Sequence, residues 1–142
     1  MARKIALGLL LASTILLIIY GADVAVASSS SDRQGFLPFS EAIRGGAFGG
    51  SAVGMSIIAF VIARKEYAPM VSLLLFVNGG LIIAGMVALI AQGAVRPDGA
   101  SNAVRTIAST MAMGAILIGL GAWKILIDKK LISTARKETA QK

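Results

Sequence analysis

In this chain of 142 residues, the candidates for ligand binding or catalysis lie in a few glycine-rich and polar stretches. The densest is GGAFGGSAVG, residues 45–54, and glycine-rich loops can cradle phosphate through their backbone N–H groups. A dinucleotide-binding fingerprint needs G-x-G-x-x-G after a strand, a P-loop needs G-x-x-x-x-G-K-[ST], and neither spacing occurs here. Gly46, Gly50 and Gly54 instead recur every four residues. In an apolar segment this spacing is typical of a helix face that packs closely against another helix.

Asn78-Gly79-Gly80 is the second candidate, because it places an amide and two flexible residues in the middle of an apolar run. One interpretation is a broken helix that lines a substrate path, as in transporters. The other is an amide that hydrogen-bonds across a close-packed bundle, beside a glycine kink. We favour the second, because this run lacks the ionisable residues that mark ion or proton paths.

Cysteine and histidine are both absent, which removes much of the metal and acid–base chemistry. A Cys/His zinc site, a haem held by His or Cys, and an iron–sulfur cluster on Cys ligands are excluded within this chain. Asp23 is the only acid within a predicted membrane segment, and we interpret it as a solvated or ion-paired group at the interface. The sequence therefore predicts no catalytic residue, no metal ligand and no cofactor.

Membrane helices are the elements that must position these residues. The chain is 56% hydrophobic and 15% charged, with a mean hydropathy of +0.81, whereas soluble domains carry about 25% charged residues. About 20 helical residues cross a hydrocarbon core, and four apolar segments reach roughly this length: residues 5–27, 45–63, 69–95 and 106–127. We therefore predict an all-α integral membrane protein. It is a single domain, residues 1–142, with a bundle of four transmembrane helices, short loops and a basic tail at 128–142.

The fourth segment carries a second row of small residues. Ala108 and Ala112, and also Ala115 and Gly119, are four residues apart, which favours close helix packing. The bulky residues of the other face are predicted to meet lipid; they are Ile116, Leu117, Leu120 and Ile125.

Basic residues predict the orientation. Of the 14 Lys and Arg residues, Arg33, Arg44, Arg96 and Arg105 fall on one side of the predicted membrane and the others on the opposite side. Loops rich in Lys and Arg stay in the cytoplasm, so both termini are predicted to be cytoplasmic. Lys124, near the inner end of the fourth segment, is expected to extend its ammonium group to the interface.

Residues 1–27 permit a second interpretation. A basic start, an apolar run and the small residues Ala25-Val26-Ala27 also fit a cleaved signal peptide. We favour a retained span, because the apolar run 5–20 exceeds the core of about 7–15 residues in a typical signal peptide. Cleavage would leave three spans and an outer N-terminus.

Two further segments stand out within this four-helix plan: LPFSEAIRGGAFGG, residues 37–50, and FVNGGLIIAGMVALI, residues 76–90. Together with the plan, they resemble small accessory subunits of archaeal membrane monooxygenase complexes, such as ammonia monooxygenase. The resemblance implies copper chemistry on neighbouring subunits and a scaffold role for this chain. It assigns no functional residue here.

The main functional hypothesis is a non-catalytic accessory subunit of a larger complex in the cell membrane. Its expected partners are other integral membrane subunits and the lipid bilayer. Nucleic acid is not expected, because the basic residues flank apolar runs instead of lining one soluble face. The alternative is a small homo-oligomeric transporter or channel built around Asn78-Gly79-Gly80. A third hypothesis is a membrane enzyme that uses acids of the outer face, although those acids form no evident cluster.

Overall fold

Helices make up all the regular secondary structure in the part of the chain that the structure describes. The computed structural model describes residues 2–30, 35–38, 45–91 and 101–140. Helix α1 is Ala2–Ser29, and a π-helical turn, Gly45–Gly50, leads without interruption into α2, Ser51–Ala63. Helix α3 is Pro69–Ala91 and α4 is Ser101–Ala140. The predicted all-α class is confirmed for these residues.

Three of the helices are long and apolar enough to cross a membrane. These stretches are Ala2–Ala27 in α1, Pro69–Ala91 in α3 and Val104–Lys137 in α4, while the apolar helix Ala47–Ala63 is shorter. Large apolar side chains on the outside, among them Ile15, Leu73 and Leu126, are more than half exposed. Apolar helices with an apolar exterior indicate a protein embedded in a membrane.

The predicted segment boundaries agree with the first three helical regions to within a few residues, whereas α4 extends beyond the fourth predicted segment at both ends. Residues 92–95, which the sequence adds to the third segment, lie outside the described residues. Helix α4 continues through the predicted tail to Ala140, and at 1.5 Å per residue its 40 residues extend about 60 Å. Residues 122–140 contain no glycine or proline to interrupt the helix.

The bundle is built around α1 and α3. Helix α1 packs against α2 and α3, and α4 packs chiefly against α3. Buried side chains from all four helices form one core; they include Ala6, Leu10, Ala59, Phe60, Val71, Leu75 and Leu117. The ring of Phe60 in α2 also lies 5.8 Å from that of Trp123 in α4, measured between ring centroids.

Glycines set the close approach of α3 and α4. A Cβ atom at Gly79 would lie 2.7 Å from the carbonyl oxygen of Gly114, and one at Gly114 would lie 3.0 Å from that of Gly79. Seven residues further along α4, a Cβ atom at Gly121 would lie 3.2 Å from the carbonyl oxygen of Ser72. A side chain at Gly79 or Gly114 would overlap the facing backbone, so these positions need glycine.

This contact buries Leu117, so the prediction that it faces lipid is wrong. Leu117 lies between Gly114 and Gly121 in sequence and is fully buried, whereas Ile116 and Ile125 from the same predicted face are exposed. The two glycines bring α3 close to that side of α4, and the bulky side chain between them packs into the core.

We expect Gly79→Ala to destabilise the protein by about 1–3 kcal/mol, because the new methyl group would overlap backbone atoms of α4. Gly80→Ala is the matched control, since it changes the next residue and a Cβ atom there has no neighbour within 4 Å. Unfolding of both variants in mild detergent with increasing SDS, followed by circular dichroism, measures the difference. Equal stability of the two variants would contradict the close approach.

Candidate functional site

Four polar side chains from three helices meet inside the bundle. They are Ser13 and Thr14 of α1, Ser56 of α2 and Asn78 of α3, here called the polar network. Ser13, Ser56 and Asn78 are fully buried. The apolar runs fold as helices that satisfy their own backbone groups, which leaves these side chains to find partners on neighbouring helices.

Both ends of the Asn78 amide have hydrogen-bond partners. Its Nδ2 donates to the Ser13 hydroxyl at 3.0 Å and to the Ser56 hydroxyl at 3.2 Å. Its Oδ1 accepts from the Thr14 hydroxyl at 2.7 Å. The two serine hydroxyls each lie 2.8 Å from the carbonyl oxygen of Ala52, to which they donate. An amide in hydrocarbon without such partners would lose several kcal/mol of solvation, so the network keeps Asn78 compatible with its surroundings.

The glycines beside Asn78 do not interrupt the helix. Helix α3 continues as α-helix through Gly79 and Gly80, and the discontinuity that a transporter site would need is not seen between Pro69 and Ala91. Gly79 serves the contact with α4, while Gly80 borders open space. In this structure the Asn78 region therefore joins helices to one another.

Sequence reasoning found Asn78 and missed its partners. Ser13, Thr14 and Ser56 are hydroxyl residues inside predicted apolar segments, and this position is the signal that could have found them. Their pairing could not be read from spacing, because the hydrogen bonds join residues as far as 65 positions apart.

A second polar group closes the end of the bundle where α2 turns into α3. Lys124 of α4 is fully buried, and its Nζ donates to Asp128 Oδ1, one turn along the helix, and to the carbonyl oxygen of Glu66 at 2.6 Å. The same Asp128 oxygen accepts a long bond of 3.4 Å from the backbone N–H of Ala68. These four residues, here called the Lys124 cluster, connect α4 to the α2–α3 turn through a charge-assisted contact.

The buried position of Lys124 differs from the expected extension to the interface. The ammonium group turns into the bundle because the Glu66 carbonyl, in the turn after α2, and the Asp128 carboxylate offer acceptors there. The start of α1 reaches the same turn, since the backbone N–H of Arg3 donates to Glu66 Oε2 at 2.9 Å. We call this the basic end of the bundle, because the sequence around the cluster is rich in Lys and Arg.

At the opposite end of α1, Asp23 holds the chain that follows the helix. Asp23 is fully buried, and its Oδ1 accepts from the backbone N–H of Leu37 at 2.8 Å. The solvated alternative for Asp23 is therefore wrong, because the segment at Leu37 returns to α1 and the carboxylate is buried. The ion-paired alternative stays a prediction.

The predicted small-residue faces do not pack against other helices of this chain in the described part of the structure. A Cβ atom at Gly50 or Gly54 would have no neighbour within 4 Å, and at Gly46 only the helical backbone is described. The predicted face of α4 is exposed at all four positions; these are Ala108, Ala112, Ala115 and Gly119. Gly50, Gly54 and the four positions of α4 are therefore free of close contact with other helices in the described part of the chain.

Within the described ranges, no three Cys, His, Asp or Glu side chains form a group that could hold a metal ion. Comparison with protein-family models, with curated proteins and with solved structures found no match. The geometry of the polar network and of the Lys124 cluster is therefore the basis for interpretation.

Lys124→Met is expected to cost about 3 kcal/mol of stability, because it leaves the Asp128 carboxylate buried without its cation. Adding Asp128→Asn should restore part of this loss, since the second change removes the unpaired charge. SDS unfolding of the single and double variants gives the values, and Lys129→Met, at an exposed neighbouring position, is the control. If the loss of stability in the double variant equals the sum of the losses in the two single variants, Lys124 and Asp128 do not act as a pair.

A double-mutant cycle is expected to find coupling of about 1 kcal/mol between Thr14 and Asn78. The value is modest because the Thr14 hydroxyl can also donate to the Leu10 carbonyl oxygen, 2.8 Å away in its own helix. The cycle compares Thr14→Val, Asn78→Leu and the double variant by SDS unfolding. Thr139→Val, which removes an exposed hydroxyl bonded within α4, replaces Thr14→Val in the control cycle. Additive losses for Thr14 and Asn78 would contradict their contact.

Proposed function

We propose that this chain is a non-catalytic accessory subunit of a larger complex in the cell membrane. In this proposal α1, the helical region from Gly45 to Ala63, α3 and α4 each cross the bilayer, and both termini are cytoplasmic. Other integral membrane subunits and lipid are its partners.

The hydrogen bonding of Asn78 is the observation that carries this proposal. A transporter or channel built on the Asn78 region would need this amide to contact the solute. Its nitrogen and oxygen are instead bonded to hydroxyl groups of α1 and α2, inside a continuous helix bundle. The one amide in the middle of α3 thus serves helix packing, as a structural subunit requires.

The open small-residue faces also support a role in assembly. Lipid tails are as apolar as leucine, so helices in a membrane associate largely through close packing at small residues and through hydrogen bonds. The α3–α4 contact at Gly79 and Gly114 already shows this mode of packing inside the chain. Gly50 and Gly54 offer a similar surface to the outside, where a helix of another subunit can approach.

The length of the second helical region and the charge pattern support four spans. The π-helical turn and α2 contribute six and 13 residues in one continuous helix. At 1.5 Å per residue this region measures about 28 Å, close to the thickness of a hydrocarbon core. The excess of Lys and Arg at the basic end supports a cytoplasmic location for that end.

For the identity of the complex, we propose a membrane monooxygenase of the archaeal ammonia monooxygenase type. The support is the resemblance of residues 37–50 and 76–90, read within the four-helix plan. The second segment contains Asn78, which bonds to α1 and α2, and Gly79, which packs against α4. Its residues therefore serve the structural role that a scaffold chain needs.

Gentle detergent extraction, native electrophoresis and mass spectrometry should recover this chain with unlike membrane subunits. Gly50→Leu is expected to reduce that recovery at least about tenfold, because a bulky side chain on a close-packed face costs on the order of 1.4 kcal/mol or more. The variant should still insert and fold, since the position is open within the chain.

Gly85→Leu is the matched control, because Gly85 is another exposed helical glycine with no neighbour near its Cβ position. Recovery of the wild-type chain only as a homo-oligomer would overturn the accessory-subunit proposal. Normal recovery of Gly50→Leu with its partners would overturn the role of this glycine face.

A further inference from the structure

A groove between α3 and α4 at the basic end is lined by two residues that each carry a buried polar atom without a partner. The groove has a volume of about 310 Å³, and both Ser72 of α3 and Asp128 of α4 line it. In the described part of the chain, Ser72 Oγ and Asp128 Oδ2 are buried without a hydrogen-bond partner. A buried polar group left unpaired loses its hydration without compensation, and a charged group loses more. Two such atoms at one groove indicate an occupant that supplies hydrogen bonds.

The Lys124 cluster explains which carboxylate oxygen remains available. Lys124 and the Ala68 backbone N–H both bond to Asp128 Oδ1, so that oxygen is occupied within the chain. The other oxygen, Oδ2, can only accept, whereas the Ser72 hydroxyl can donate or accept. A group with hydroxyl hydrogens and oxygen lone pairs can satisfy both atoms.

The groove has apolar walls that suit hydrocarbon. Leu73 and Phe76 of α3 line one side and Ile125 and Ile132 of α4 line the other. Leu73 and Ile132 are about half exposed, at 57% and 49%, so the groove opens to the surroundings of the bundle. An occupant therefore needs an apolar part beside its hydrogen-bonding groups.

Cations border the groove on the side of the α4 tail. Lys129 and Ile132 also line a neighbouring groove of about 480 Å³, which continues to Arg136 and Lys137. Lys124 already neutralises Asp128, so the combined surface is positive. Basic residues near a membrane surface attract anionic headgroups.

We propose that this groove binds an anionic glycerophospholipid whose headgroup carries hydroxyl groups. The acyl chains lie along Leu73, Phe76 and Ile125, the headgroup hydroxyls bond to Ser72 Oγ and Asp128 Oδ2, and the phosphate pairs with Lys129. A single water occupies about 30 Å³ and does not fill a groove of this volume. The site belongs to this chain alone, so its test is independent of membership in a larger complex.

The test uses the full-length chain in nanodiscs that contain equal amounts of phosphatidylglycerol and phosphatidylcholine with the same acyl chains. After release into mild detergent, native mass spectrometry counts the lipids that stay bound. We expect phosphatidylglycerol to be retained at least about fivefold over phosphatidylcholine, which corresponds to about 1 kcal/mol. Ser72→Ala and Lys129→Gln should each remove most of this preference.

Matched controls separate the site from general surface charge. Lys130→Gln removes the adjacent exposed cation, which lines neither groove, and Ser109→Ala removes an exposed hydroxyl bonded within α4. Both variants should keep the wild-type preference. Lys129 is exposed, so Lys129→Gln should fold normally, as thermal unfolding in detergent can verify.

Three results would overturn the proposal. One is equal retention of the two lipids, and another is an unchanged preference in both Ser72→Ala and Lys129→Gln. The third is a loss of the same size in Lys130→Gln, which would assign the preference to surface charge. Parallel nanodiscs with phosphatidylmethanol test the headgroup: this lipid is a singly charged phosphodiester like phosphatidylglycerol but lacks the glycerol hydroxyls, so retention equal to that of phosphatidylglycerol would contradict the hydrogen bonds to Ser72 and Asp128.

Discussion

An amide side chain in hydrocarbon must find hydrogen-bond partners, and this requirement at Asn78 determines how the first three helices fit together. The partners come from α1 and α2, so the bonds fix both the rotation and the axial position of these helices against α3. Apolar packing alone allows many such arrangements, since apolar residues lie all round these helices and mark no single packing face. One buried amide selects among them, as a polar residue can select the register of a coiled coil.

The fourth helix is held by different interactions. Glycines allow backbone contact between α3 and α4, and the Lys124 cluster connects α4 to the α2–α3 turn. Asn78 and Gly79 are consecutive in α3, and consecutive helical residues point about 100° apart. The amide therefore meets α1 and α2 while the glycine meets α4. Helix α3 is thus the element that both halves of the bundle share.

Hydropathy predicted the helical regions well, because uninterrupted apolar runs long enough to cross a bilayer stand out in any sequence. The packing faces were harder to predict, because a helix surface that faces lipid and one that faces the bundle interior are both apolar. Gly114 and Gly121 approach α3 closely, yet the same helix carries small residues at Ala108 and Ala112, which are exposed. In the candidate site, a lone amide such as Asn78 was recognisable. The burial of Lys124 could not be recognised from the sequence, since the carbonyl group that it contacts lies 58 residues away.

The order of the polar network along the chain has a consequence for biosynthesis. Ser13, Thr14 and Ser56 all precede Asn78 in the sequence, and a chain is synthesised from its N-terminus. When α3 enters the membrane, α1 and α2 have already been made and their hydroxyl groups are available. The amide can therefore pair during insertion and does not have to wait in lipid for a later helix. Among the contacts of the described residues, those of α4, which rely on glycines and on the Lys124 cluster, form after α3 has entered.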